Sequence, residues 1–178
     1  KIIVWSTEDI LSSIENKDWI VKRCPFNFST NLIYRLTWQL LFLSKKAYNE
    51  GCDVLFAPGG VSSSKFQPLV TMSQNLLPFE SREYKRYGLS LKRLKLLLIK
   101  YFQGHSFKNS KGVIFLTEHA KETIQKVIGN LENKTIIIPH GLSKRFLKTK
   151  KFFQKQKDEE KKIRVLYVSH IEHYKHQW

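Results

Sequence analysis

Four apolar runs of strand length, each ending on a small or polar tip, constrain the fold of this chain more than any other feature. They are residues 53–60 (DVLFAPGG), 69–75 (LVTMSQN), 112–118 (GVIFLTE) and 135–141 (TIIIPHG). A fifth run, 163–170 (IRVLYVSH), leads into Tyr174 and Lys175. Strands of a parallel sheet are buried on both faces and read as continuous Val, Ile and Leu rather than as alternation. In an open α/β sheet the ligand crevice lies beyond the carboxyl ends of the strands. The tips are therefore where chemistry is expected.

Helical patterns separate these runs. Residues 1–6 read as a further buried strand, with Thr7 as a helix cap, Glu8 and Asp9 in the first turn, and Ile10, Leu11 and Ile14 as the apolar face. A short strand over 19–23 closes at Pro25. Over 31–48, Leu32, Leu36, Leu40, Leu43 and Ala47 recur at helical spacing, and Gly51 stops that helix. A loop over 76–88 precedes a long basic helix over 90–103. Leu91, Leu94, Leu97, Leu98, Tyr101 and Phe102 form its apolar face; Lys92, Arg93, Lys95 and Lys100 lie mostly elsewhere. Thr117 caps a helix over 118–128 that Gly129 ends. Alternating strands and helices predict an α/β, Rossmann-like parallel sheet flanked by helices. The expected organisation is a first domain over 1–143, a basic linker over 144–162, and the start of a second domain over 163–178.

With 42% hydrophobic and 13% aromatic residues among 178, the chain can bury a core, which excludes general disorder. No run approaches the length of a membrane span. Cys24 and Cys52 stand apart without metal or redox spacing, and are expected to be buried, reduced and structural, as in a reducing cytoplasm. The net charge of +16 suits phosphate-rich partners, whether nucleic acid, anionic lipid or nucleotide-linked substrate. A solvated surface accounts for it equally. The chain starts at Lys1 and ends at Trp178, which reads as a piece truncated at both ends.

Each candidate site has a plain structural alternative. Gly59-Gly60 lets backbone approach a ligand or simply turns; neither a P-loop nor a Gly-x-Gly-x-x-Gly pattern is present. Gln74 and Asn75 are amides suited to a sugar hydroxyl, or to capping the next loop. Thr117 and Glu118 suit a helix start as well as a site. His140-Gly141 after Pro139 is a strand-ending turn or a cleft pair. Lys175 lies where a point charge could meet a phosphate. His105, His119, His173 and His176 show no metal-ligand spacing, and no metal is expected.

Taken in order, residues 52–60, 70–79, 112–117, 138–141 and 165–175 resemble glycosyltransferase family 4. The resemblance covers most of the chain from about Trp38 onward. It implies the GT-B architecture, two Rossmann-like domains facing a cleft, with the acceptor on the amino-terminal side and the nucleotide-sugar on the other. The family opens its second domain with a strand, Gly-Arg-Leu, three residues and Lys-Gly. The matching positions are Ser169, His170, Ile171, Lys175 and His176, so Lys175 is implied as a contact to the donor diphosphate, with Ser169 and His170 beside it. The Gly and Arg are absent, and His170 replaces the arginine only when protonated. The cleft and acceptor side falls to Gly59, Gly60, Gln74, Asn75, Thr117, Glu118, His140 and Gly141. Gln74 stands where many members carry a histidine, so it positions rather than acts as a base.

The resemblance further implies a glycine-rich first strand before Lys1 and paired catalytic glutamates after Trp178, leaving the catalytic residues of this chain unknown. The full protein would move a sugar with retention from a nucleotide-sugar, a substrate and not a cofactor, to a lipid-linked or cell-surface glycan. It would do so in the cytoplasm at the inner membrane face, with the 90–103 helix on anionic lipid and no nucleic-acid partner. Two other readings stay open: a basic Rossmann-like nucleic-acid-binding module, and a scaffold that kept the fold without the chemistry.

Overall fold

A computed structural model describes residues 1–25, 34, 37–131, 134–143, 166–169 and 171–175. The chain begins with β1 (Ile2–Trp5), α1 (Glu8–Ser13) and β2 (Ile20–Arg23). A wide π turn (Gln39–Leu43) leads into α2 (Ser44–Asn49), followed by β3 (Leu55–Ala57) and β4 (Leu69–Ser73). Then come α3 (Ser81–Lys85), α4 (Leu91–Asn109), β5 (Gly112–Phe115), α5 (Glu118–Ile128) and β6 (Thr135–Ile137), with one 3-10 turn at His173–Lys175.

Every strand pairing among the described residues is parallel. β3, β4, β5 and β6 lie side by side in chain order, while β1 and β2 form a separate pair. Backbone bonds carry the larger ladder beyond its strand ends: Leu55 N donates to Pro68 O at 3.0 Å, Lys111 N to Leu69 O at 2.8 Å, and Ile138 N to Phe115 O at 2.8 Å. The molecule is thus a mixed α/β structure with parallel sheets flanked by helices, as a Rossmann-like fold requires. Trp5 packs on the core cluster that includes Leu55, so the two ladders touch through side chains.

Two apolar clusters hold the layers. In one, Phe79, Phe107, Val113, Phe115, Ala120, Ile124 and Leu131 are buried together. Phe107 lies between two rings, with centroids 6.2 Å from Phe79 and 6.2 Å from Phe115. Gly104 lets α4 approach α5, since a Cβ there would come within 3.1 Å of Ile128 Cγ2. In the other cluster, Trp38, Leu43, Ala47, Leu55, Phe66 and Leu69 fill the space beneath β3 and β4.

The sequence reading needs several corrections. The π turn spaces Trp38 and Leu43 five residues apart on one buried face, as i→i+5 geometry dictates, and leaves Leu40 exposed. Leu32 and Leu36 lie outside the described residues. In α1 only Leu11 is buried, Ile10 is exposed, and the Thr7 side chain makes no cap bond. β1 is only half-buried, with Ile2 exposed. The 76–88 loop contains α3 and buries Phe79. Cys24 is exposed and Cys52 half-buried, because both flank elements instead of lying within them. Partial burial, then the charges of Glu50 and Asp53, push the Cys52 thiol above its ordinary range.

The largest correction concerns α4. Ser90 caps it as expected, its Oγ accepting from Arg93 N at 3.3 Å, but the helix runs on to Asn109. It buries Leu96, Gln103, Gly104, Ser106 and Phe107, whereas Leu91, Leu94, Leu97, Leu98, Tyr101 and Phe102 face outward. The buried stripe is rich in small and polar residues that fit close against the domain, so apolar periodicity selected the opposite face. Residues 166–169 form no strand, and Leu166, Tyr167 and Val168 are exposed. The start of that run, 163–165, lies outside the described residues. The 144–162 segment and His170 lie outside the described residues.

The packing of α4 makes a direct prediction. Phe107→Ala should cost about 3–5 kcal/mol through lost burial and the cavity left behind. Leu98→Ala, on the outward face, should stay within about 0.5 kcal/mol of the unaltered chain. Urea denaturation followed by circular dichroism measures both, and equal losses would mean that the buried face of α4 is misassigned.

Candidate functional site

Because β3 to β6 are parallel, their carboxyl ends leave the sheet on the same side. Ala57 lies level with Thr71, and Ser73 with Phe115, which in turn lies level with Ile137. The residues following each strand therefore leave along one edge. Gly59 and Gly60, Gln74 and Asn75, Thr117 and Glu118, and His140 and Gly141 all belong to that rim.

Several of these residues are occupied by structural work. Gly60 adopts φ +75°, and a Cβ there would meet Gln103 Nε2 at 2.9 Å and Met72 O at 3.1 Å. Asn75 Oδ1 accepts from Leu77 N at 3.1 Å, closing the following turn. Thr117 Oγ1 accepts from Ala120 N at 3.1 Å as the cap of α5. Glu118 pairs with Lys121 at 3.1 Å in the first turn of α5. Gly59 faces open space, and Gln74 and His140 are exposed. Gln74 Nε2 also donates to Met72 Sδ at 3.7 Å.

The loop after β3 is clamped from two sides. Ser62 N donates to Ser106 Oγ at 3.0 Å, and Ser106 Oγ donates to Ser62 O at 3.2 Å. Lys65 N donates to Ser44 Oγ at 3.0 Å, and Ser44 and Ser64 share a hydroxyl bond at 3.0 Å. The Ser62-Ser63-Ser64 run thus holds the Gly59-Gly60 turn in place.

Sequence reasoning missed Gln103. It is 4% exposed, its Nε2 donates to Gly59 O at 3.4 Å, and its Oε1 has no partner among the described residues. The available signal was an amide at helical spacing between Leu96 and Phe107. Also missed was the approach of His119 Nε2 to Glu80 Oε1 at 3.5 Å, which links the start of α5 to the segment after β4.

Of the donor-side residues, Ser169 and Lys175 are brought together, with Lys175 Nζ donating to Ser169 Oγ. Glu172 anchors this segment: its Oε2 accepts from Lys92 Nζ at 2.6 Å and from Tyr87 OH at 3.3 Å. The bond to Glu172 holds the Lys92 ammonium above its ordinary range, and partial burial raises the Tyr87 phenol. No hydrogen bond or ion pair among the described residues joins Lys175 to the rim tips.

A separate cleft of about 380 Å³ opens where β1 and β2 end, walled by Trp5, Trp38 and Phe42 with Arg23 and Glu50 at its side. Arg23 Nε donates to Glu50 Oε1 at 3.0 Å and holds that carboxyl below its usual range. Among the described residues there is no group of three or more His, Cys, Asp or Glu able to hold a metal, and no helix long and apolar enough to cross a membrane. No family model, curated protein or solved structure matches the chain.

The rim geometry is testable at its glycines. Gly60→Ala, forced into a left-handed conformation against Gln103, should cost about 1–3 kcal/mol. Gly59→Ala should be neutral within about 0.5 kcal/mol. Paired chemical denaturation curves distinguish them, and equal effects would contradict the packing of Gln103 under the turn.

Proposed function

We propose that this chain carries the acceptor-side lobe of a glycosyltransferase with GT-B architecture. The full-length protein moves a sugar from a nucleotide-sugar to a lipid-linked or cell-surface glycan, with retention. The observation that carries this reading is the common rim of Gly59, Gln74, Thr117 and His140 at the carboxyl ends of four parallel strands, the edge where α/β sheets bind ligands. In the proposal Gln74 orients a sugar hydroxyl, and its amide both donates and accepts. His140 offers a second polar contact from the next-but-one strand. The residues of this chain bind and orient; the paired acids of the transfer step belong to the donor lobe.

Lys175 supplies the donor contact. Its described polar partner is the neutral Ser169 hydroxyl, whereas the charge on Lys92 is matched by Glu172. An ammonium bonded to a hydroxyl retains its charge and further protons for phosphate oxygens. Calorimetry of the full-length protein against UDP, GDP and ADP should find binding that Lys175→Ala weakens about tenfold or more, as expected when a charge-assisted bond is lost. Absence of binding to every nucleoside diphosphate, or unchanged affinity in the variant, would contradict the assignment. Steeply salt-dependent binding to nucleic acid in its place would favour the basic-module reading.

A further inference from the structure

The cleft at the ends of β1 and β2 stands apart from the rim, since none of the tips that follow β3 to β6 lines it. Trp5 and Arg23 are register partners at the last position of two parallel strands, so their side chains leave the pair on one face. Opposite them, Trp38, Phe42, Lys46 and Glu50 follow at intervals of four through the π turn and α2. The cleft thus lies beyond the carboxyl ends of parallel strands, where α/β structures bind ligands. Its volume of about 380 Å³ suits a small ring.

One side of the cleft is aromatic and the other is a single ion pair with unused bonding capacity. Trp38, 8% exposed, closes the floor, and half of Phe42 is open to solvent. Arg23 Nε donates to Glu50 Oε1 at 3.0 Å; among the described residues, neither the Arg23 Nη groups nor Glu50 Oε2 makes a further hydrogen bond. A guanidinium has five N–H donors and a carboxylate accepts through both oxygens, so the pair presents donors and an acceptor side by side. Lys46 adds an ammonium whose field reaches the same carboxylate.

That combination selects a chemistry. A phosphate or carboxylate satisfies Arg23 but meets the charge of Glu50, and an amine meets the reverse conflict. Vicinal hydroxyls donate to Oε2 and accept from Nη at once. A pyranose carries such hydroxyls on a ring whose C–H face is apolar enough to lie on the negative face of an aromatic side chain. We propose that the cleft formed by Trp5, Arg23, Trp38, Phe42 and Glu50 is a saccharide-binding site. A pyranose ring lies against the aromatic wall, and two adjacent hydroxyls are bridged by Arg23 and Glu50. The inference uses no rim residue and no donor contact, so it stands whether or not the protein transfers sugar.

Nuclear magnetic resonance titration of the protein with methyl α- and β-pyranosides of glucose, galactose and mannose tests it. For at least one of them the indole N–H signals of Trp5 and Trp38 should move with a Kd on the order of 1 mM, while that of Trp19, outside the cleft, stays. Glu50→Ala should weaken this binding about tenfold, as loss of a hydrogen bond to a charged group does. Phe42→Ala should weaken it about fivefold through loss of the ring face. Both residues are exposed, so circular dichroism and thermal melting should match the unaltered protein. The sign of the Glu50 effect separates ligand classes, because an anion would bind more tightly once the carboxylate is gone. No indole shift with any pyranoside, or unchanged affinity in Glu50→Ala, would overturn the proposal. So would binding of inorganic phosphate that Glu50→Ala strengthens, or shifts of the same indoles by uridine or adenosine but not by pyranosides, which would assign the cleft to an anion or a nucleoside. Pyranoside shifts confined to Gly59, Gln74 and His140 would overturn it equally while leaving the sugar-transfer reading in place.

Discussion

Backbone pairing between four parallel strands decides where the polar groups of this molecule lie. A parallel ladder gives every strand the same direction, so once β3, β4, β5 and β6 are hydrogen-bonded in order, their exits must share an edge. The register then sets the height of each exit, with Ser73, Phe115 and Ile137 at one level. A one-residue slip would exchange the faces of every side chain on a strand. It would lift Phe115 out from beside Phe107 and turn it away from the helices. Packing of the phenylalanines and position of the tips are thus consequences of one constraint.

α4 links that constraint to the rest. Its inner stripe carries Phe107 into the core, Ser106 to the backbone of Ser62, and Gln103 to the Gly59 carbonyl. Small and polar residues predominate because the helix must approach both a loop backbone and α5 closely. Its outer stripe carries the leucines. The usual amphipathic logic, apolar inward and polar outward, is reversed along much of this helix, which exposes Leu91, Leu94, Leu98, Tyr101 and Phe102 while burying Gln103, Gly104 and Ser106.

The sheet was legible in the sequence because Val, Ile and Leu runs with polar ends leave few alternatives. Runs 69–75, 112–118 and 135–141 became β4, β5 and β6, and Thr117 and Gly129 bracket α5 as cap and stop. Burial on α4 was not legible, because periodicity reports which residues are apolar and not which face meets the domain. Gln103 and Ser106 were overlooked for the same reason: their burial depends on a loop more than forty residues away in sequence, which no local pattern encodes. The π turn before α2 likewise has no local signature; it puts Trp38 on the buried face in place of Leu40, while Leu43 and Ala47 are buried as their spacing indicates. The rim residues were identifiable as strand ends, whereas their division into occupied and available groups came only from hydrogen bonds such as those of Asn75 and Thr117.

The central claim, that the carboxyl rim is the ligand-facing edge, is tested most directly by amide chemical-shift mapping of the protein titrated with UDP-, GDP- and ADP-sugars. The account expects perturbations at Gly59, Gln74, Thr117, His140 and Lys175, with Leu55, Leu69, Gly112 and Thr135 at the opposite edge unmoved. Shifts confined to that opposite edge or to the Trp38 cleft, or no shifts with any donor, would contradict it.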